Sequence, residues 1–317
     1  MKISCFLIEP WQESILKNKF NRHNVQIYRE PLNSENIKEN KDADIIITRA
    51  RMLDLKFDKN TLEKLPNLKM ISTMSTGIDH IDLDECEKRG IIVANAPEYG
   101  QNTIAEYVFA LLFSISRKMP ETLVKKDPDV SEIEGFDLKG KTLGVIGTGK
   151  IGMNVIKIAS GIGMNILAYD IIEDKEAQKR YGFSYVESIE KLLTFSDIIT
   201  LHAPYNKKTH HLLNKKNMRF IKHGAVLINT ARAGLIETKA LLESIEKGRI
   251  SYAALDVLNN ESKDIESMPE ETKELIKKDN VIVTPHNASN TKEAKNRMLN
   301  SAIKNIDSYI ERKEAIA

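Results

Sequence analysis

The chain has 317 residues and a mass of 35.9 kDa, and at about 150 residues per domain this is a prior for two domains. With 41% hydrophobic and 29% charged residues it has the balance of a soluble globular protein, which excludes disordered and collagen-like classes. Lys and Arg number 47 against 45 Asp and Glu, a net charge of +2, so no general electrostatic pull toward nucleic acid or an anionic membrane is expected.

Read in chain order, short apolar strands alternate with helical patterns from end to end. The N-terminal run ISCFLI (3–8) is too short for a signal-peptide core and reads as a first strand. VQIY (25–28), DIIIT (44–48), LKMIS (68–72) and IIVAN (91–95) follow. Residues 101–117, QNTIAEYVFALLFSISR, predict one long and mostly buried helix, taken as the bridge between domains. Its longest apolar stretch, VFALLF (108–113), falls far short of the roughly 20 residues of a membrane span. A polar stretch with two prolines comes next and reads as a loop or arm. A second strand series then appears: TLGVIG (142–147), NILAY (165–169), DIITLH (197–202), AVLINT (225–230), YAALDV (252–257) and NVIVT (280–284). Most of these strands are continuous Val/Ile/Leu runs, the pattern of parallel strands covered by helices on both faces, so the fold class is α/β built from βαβ units. The chain closes on a helical pattern at 291–312, and spacing does not decide which domain that helix covers.

Two cysteines, Cys5 and Cys86, match no metal spacing and read as inert thiols. The histidines supply no HExxH-type spacing, so no metal is expected.

Gly147-Thr148-Gly149-Lys150-Ile151-Gly152 is a GxGxxG string. It follows a strand and opens a helix, and the next strand ends in Asp170, 18 residues after Gly152. That context makes it a dinucleotide fingerprint. Gly147 permits the turn, Gly149 admits the pyrophosphate, and Gly152 lets helix and strand pack. Asp170 suits the adenosine ribose hydroxyls and repels a 2′-phosphate, which favours NAD over NADP.

Three later segments place polar residues just after strands, where such sheets hold ligands. They are INTARAGLIE (228–237) with Arg232, AALDVLNNE (253–261) with Asp256 and Glu261, and VTPHNAS (283–289) with His286. Beside an NAD site they suit reduction of a 2-keto acid. An Arg fork grips a carboxylate, and a His titrating near neutrality donates a proton. A carboxylate paired to that His keeps it protonated.

With these segments, and with STGIDHIDL (75–83), GIIVANAP (90–97), NTIAEY (102–107), LGVIGTGKIG (143–152) and LHAPYNKKT (201–209), the chain resembles the D-2-hydroxyacid dehydrogenase family. The resemblance implies two Rossmann-like doubly wound parallel-sheet domains with an interdomain catalytic cleft. A discontinuous substrate domain would comprise 1–97 plus 290–317, and an NAD-binding domain 98–289. It makes Arg232 the carboxylate ligand, His286 the acid/base and Glu261 its partner. Gly147, Gly149, Lys150, Ile151, Gly152, Asp170, Ala203, Pro204, Thr209, Thr230, Ala231 and Asp256 would line the NAD site, with Asp256 near the nicotinamide amide. Thr76 and Gly77 would bind the substrate carboxylate through their N–H groups. It also implies a homodimer, and the two inert thiols suit a reducing cytoplasm.

Substrate choice is less legible. Tyr99 in PEYGQNTIAE resembles a tyrosine that faces the active site in D-lactate dehydrogenases, favouring a small keto acid; packing at the hinge is the other reading. Ser289, three residues after His286, stands where those enzymes often carry an aromatic. Arg49 and Arg51 in TRARM resemble the phosphate-reading segment of D-3-phosphoglycerate dehydrogenases, or are two surface arginines beside Asp54. The first-choice substrate is a D-lactate-like acid. A short-form D-3-phosphoglycerate dehydrogenase or a hydroxypyruvate/glyoxylate reductase is the alternative, and an NAD-sensing corepressor is an alternative of another class.

Overall fold

The computed structural model describes residues 1–49, 55–124, 133–259 and 265–314. The chain divides into two compact units, Met1–Gly100 with Asn290–Ala317, and Gln101–Ser289.

The first unit is a five-stranded sheet of β1 (Lys2–Cys5), β2 (Asn24–Ile27), β3 (Ile45–Thr48), β4 (Met70–Thr73) and β5 (Ile92–Ala94). The order is β2-β1-β3-β4-β5 and every pairing is parallel. Strands β3 and β4 are buried along their whole length, and in β3 this shows in the sequence as the unbroken run Ile45–Ile47. The helix Lys292–Glu314 belongs to this unit. Its Ala294, Met298, Leu299, Ala302 and Ile306 pack on Ile3, Cys5, Ile45 and Met70, each large side chain contributing about 1.5–3 kcal/mol by burial. Cys5 and Cys86 are buried and free. Burial pushes both thiols up, Cys86 to about 11, so neither is a thiolate near neutrality.

The second unit is a seven-stranded parallel sheet. Its strands are β6 (Thr142–Ile146), β7 (Asn165–Tyr169), β8 (Ser184–Tyr185), β9 (Ile198–Leu201), β10 (Ala225–Asn229), β11 (Ile250–Leu255) and β12 (Val281–Val283). The order β12-β11-β10-β9-β6-β7-β8 means the chain starts mid-sheet at β6, walks outward to β8, then crosses to β9 and walks the other way. This is the doubly wound arrangement, and the reversal between β6 and β9 is the crevice where such sheets take ligands. The helix Gln101–Ser116 lies in this unit, burying Val108, Leu111, Leu112 and Ile115.

Every strand read from the sequence is present within a residue or two at each end, apart from the Phe6–Ile8 and Leu68–Lys69 margins, which are turn or loop. Strand β8 was not expected: two residues at a sheet edge, inside GFSYV, leave no apolar run to detect. The polar stretch after residue 117 contains a short helix, Met119–Val124; residues 125–132 lie outside the described residues. No helix among the described residues is long and apolar enough to cross a membrane, and no group of three metal-ligating side chains is found among them.

Candidate active site

The carboxyl ends of β6 and β7 carry the glycine motif. Gly147 sits at φ +95°, in the left-handed region, and a Cβ there would come within 2.6 Å of the Ala203 amide nitrogen. Gly152 opens the helix Lys150–Ile162 close against the preceding turn, where a Cβ would lie 2.0 Å from the Gly147 carbonyl oxygen. Gly149, the N-cap of that helix, differs: apart from its chain neighbours, no atom of the described residues lies within 4 Å of where its Cβ would be. Nothing in the fold forbids a side chain at 149. The space it would fill lies at a helix N-terminus, where the first-turn N–H groups face outward and favour an anion.

Asp170 follows β7. Its Oδ2 accepts from the Thr148 N–H at 2.6 Å and the Thr148 hydroxyl at 3.2 Å, and its Oδ1 accepts from the Ile172 N–H at 3.1 Å. The Tyr185 hydroxyl lies 2.9 Å from the Thr148 hydroxyl and accepts from the Asp174 N–H at 3.1 Å. The carboxylate is thereby fixed against the glycine loop. Ile171 and Ile172, directly after it, are 90% and 76% exposed, an apolar surface beside a ribose-type acceptor. Thr148, Ile171, Ile172 and Tyr185 are additions to the sequence reading; the Ile-Ile pair directly after Asp170, beyond the end of the strand, was the available signal.

Ala203 and Pro204 begin the loop after β9. Thr209 closes that loop by donating from its hydroxyl to the Pro204 carbonyl at 2.6 Å. His202, at its base, contacts the Thr200 hydroxyl at 3.0 Å. Burial pulls its imidazole down to about 3, so it is neutral near pH 7 and offers no cation to the loop.

The carboxyl ends of β10, β11 and β12 carry the remaining polar residues. Asn229 ends β10 and is buried. Its side chain accepts from the Ala231 N–H at 3.0 Å and donates to the Arg232 carbonyl at 2.9 Å, bracketing the turn that presents Arg232. Thr230 is buried, and its hydroxyl has no hydrogen-bond partner among the described residues. Arg232 is half-buried with extended backbone, and its guanidinium donates to the Ala231 carbonyl at 2.8 Å.

Asp256 follows β11 and is fully buried. Its Oδ1 accepts from the Thr284 hydroxyl at 2.6 Å and the Asn287 N–H at 2.7 Å, and its Oδ2 from the Ala288 N–H at 2.8 Å. These bonds hold the turn after β12 that presents His286. His286 itself sits at φ +49°, a left-handed conformation costing a non-glycine residue about 1–2 kcal/mol, and its N–H donates to the Thr284 carbonyl at 2.9 Å. Arg232, Asp256 and His286 thus lie at the ends of three adjacent parallel strands, in the order β10, β11, β12. Glu261 lies outside the described residues.

In the first unit, Thr76 and Gly77 follow β4. The Thr76 hydroxyl donates to the Ala96 carbonyl at 3.1 Å, the Ser75 hydroxyl to the Gly77 carbonyl at 2.8 Å, and the Asn95 amide to the Thr76 carbonyl at 2.9 Å. The loop is held through its carbonyls and side chains. The Thr76 and Gly77 N–H groups donate to nothing among the described residues. Tyr99 is 9% exposed and packs in the core cluster of Met74, Ala96, Ala294 and Met298, its carbonyl accepting from the Arg297 side chain at 2.8 Å. Arg49, with 13% of its side chain exposed, lies 3.8 Å from the Glu9 carboxylate, which also takes Lys295 at 2.8 Å. Arg51 lies outside the described residues.

The open space at Gly149, the Asp170 carboxylate and the unpartnered buried Thr230 hydroxyl are a donor and acceptor set that fits a dinucleotide.

Comparison with known proteins agrees with this geometry. Residues 109–288 match the family model of the D-isomer specific 2-hydroxyacid dehydrogenase NAD binding domain. The chain is 33% identical to the glyoxylate reductase of Thermococcus litoralis, over 98% of this chain and 94% of that protein. It is 35% identical to the D-3-phosphoglycerate dehydrogenase of Methanocaldococcus jannaschii over 92% of this chain, spanning 54% of that longer relative. The crystal structure of D-lactate dehydrogenase from Aquifex aeolicus, complexed with NAD and lactic acid, superposes with a TM-score of 0.85 at 32% identity, covering 98% of this chain and 95% of that one.

Proposed function

We propose, from the premise that the chain belongs to the D-isomer-specific 2-hydroxyacid dehydrogenase family, that it interconverts a small unphosphorylated 2-keto acid and its D-2-hydroxy acid, with a D-lactate-like substrate as the first choice. NAD is the cofactor of this family domain, and when bound it supplies or accepts the hydride.

The protein's own residues do the rest. Residues 147–152 receive the pyrophosphate on helix N-terminal N–H groups, with Lys150 and Ile151 in the first turn. Asp170 takes the ribose hydroxyls, and Ile171 with Ile172 packs the adenine. Ala203, Pro204, Thr209, Thr230 and Ala231 complete the lining. Asp256 sits by the nicotinamide end, where its Oδ2, taken by a single N–H, can still accept a bond. Arg232 grips the substrate carboxylate. His286 delivers the proton to the ketone oxygen in reduction and takes it back in oxidation, and Glu261 holds it protonated. In the first unit, the Thr76 and Gly77 N–H groups form an anion subsite.

The observation that carries the substrate choice is Arg49. A phosphate reader needs an uncommitted guanidinium, and Arg49 is mostly buried and ion-paired with Glu9. This argues against a phosphorylated acid. The protein is further proposed to act in the cytoplasm as a homodimer: Phe113, Met119 and Leu123 on two successive helices of the second unit are 46%, 41% and 76% exposed, an apolar face suited to a second copy.

The test is NADH oxidation with pyruvate, 2-ketobutyrate, phenylpyruvate, hydroxypyruvate, glyoxylate and 3-phosphohydroxypyruvate. The highest kcat/KM is expected with pyruvate or a larger apolar keto acid. A preference for the phosphorylated acid overturns the substrate reading, a preference for glyoxylate or hydroxypyruvate moves it to that reductase class, and tight NADH binding without turnover favours the sensor class.

A further inference from the structure

We propose that Asn229 is a positioning residue: it sets Arg232 in register with His286 and so controls affinity for the keto acid without touching it. This rests on Arg232 being the carboxylate ligand. The geometry behind it is local to the second unit. Asn229 uses both faces of its amide on one turn, the oxygen on the Ala231 N–H and the nitrogen on the Arg232 carbonyl. The two residues that determine where the guanidinium emerges are therefore pinned by one buried side chain. The Asn229 backbone carbonyl in turn accepts from the Asp256 N–H at 3.0 Å. Asp256 is the residue whose carboxylate holds the Thr284–Ala288 turn and the left-handed His286. A continuous chain of hydrogen bonds, all buried or half-buried, thus runs from the Arg232 turn through Asn229 and Asp256 to the His286 turn.

A side chain at 229 must donate to one group and accept from another two residues away. An amide does this through two separate atoms without titrating, whereas an isosteric carboxylate only accepts until it is protonated. Apolar packing alone would have suited the end of β10, where the preceding residues Val226, Leu227 and Ile228 are buried. A buried amide at this place, with both its groups spent on the Arg232 turn, reflects a demand of that turn.

The experiment compares Asn229→Ala, Asn229→Asp and Arg232→Lys for keto-acid KM, kcat, NADH affinity and Tm. Asn229→Ala is expected to raise the keto-acid KM ten- to a hundred-fold, since ångström-scale misplacement of a binding group costs that much, with NADH affinity within two-fold of the parent. Asn229→Asp keeps the size and the acceptor but sets a carboxylate oxygen against the Arg232 carbonyl. Its KM relative to the parent is expected to fall as the pH is lowered and the protonated carboxyl again donates. Both outcomes are beyond a residue that merely supports the fold, which would change Tm and not KM. An unchanged KM in both Asn229 variants, with Arg232→Lys raising it, overturns the positioning role and leaves the Arg232 reading intact. An unchanged KM in Arg232→Lys overturns the Arg232 reading itself. If Asn229→Ala does not fold, the pH response of Asn229→Asp decides.

Discussion

The two halves of the seven-stranded sheet end in sites built by opposite means. At β6 and β7 the site is made of backbone. Three glycines within six residues open a helix, and one carboxylate reaches back to that loop. At β10, β11 and β12 the candidate site is made of side chains, with two loops each held by a buried polar residue at a strand end, Asn229 for Arg232 and Asp256 for His286. The first site needs only one βαβ unit to exist. The second exists only once three parallel strands have paired. A phosphate can be met by N–H groups of any sequence, so binding tolerates a backbone solution; proton transfer and carboxylate recognition need particular side chains in a fixed relation.

The sharpest way to break this comparison is His286→Ala. Turnover is expected to fall by about a thousand-fold, within the range for loss of a general acid, while NADH binding measured by fluorescence stays within a few-fold. Near-normal rates would show that the β10–β12 edge does not carry the chemistry.

Within the backbone-built site, the glycines separate fold from ligand. Gly152→Ala is expected to destabilise the protein by about 1–3 kcal/mol, because its Cβ meets the Gly147 carbonyl, and to lose NADH binding with it. Gly149→Ala, with no atom of the described residues in its way, is expected to leave Tm unchanged and weaken NADH about ten-fold. Equal Tm losses in the two variants, by thermal melting, would remove the evidence that the space at Gly149 is kept for a ligand.

A smaller effect is expected from Asp170→Ala. NAD is expected to weaken several-fold and the NAD/NADP preference to fall, since the ribose acceptor and the repulsion of a 2′-phosphate go together. Loss of the bonds to Thr148 adds to the effect. A preference unchanged in steady-state kinetics would take Asp170 out of the cofactor site.

Much of this was legible beforehand. The buried strands announced themselves as apolar runs because both faces of each sheet are covered, and the glycine motif was legible because its geometry is local. Strand β8 was not, since two edge residues leave no pattern. Asn229 was invisible as a functional residue because it reads as the last residue of a strand, and its two partners are recognisable only in the folded turn. Asp256 was picked out, but not its hold on residues 284–288, which lie some thirty positions further along the chain. The two arginines of TRARM read as a phosphate site or as surface residues, and nothing in the sequence signalled that the fold sets Glu9 3.8 Å from Arg49; Arg51 lies outside the described residues.

The sequence by itself determined the α/β class, the two strand series, the glycine loop and the Arg and His that follow strands, because hydrophobic periodicity and turn chemistry act over a few residues. Tertiary structure decided which unit the helix Lys292–Glu314 covers, which charges meet, and how Asn229 and Asp256 hold two loops in register. Those outcomes depend on apolar packing, ion pairs and hydrogen bonds whose partners come together only when the strands are laid side by side and their turns are formed.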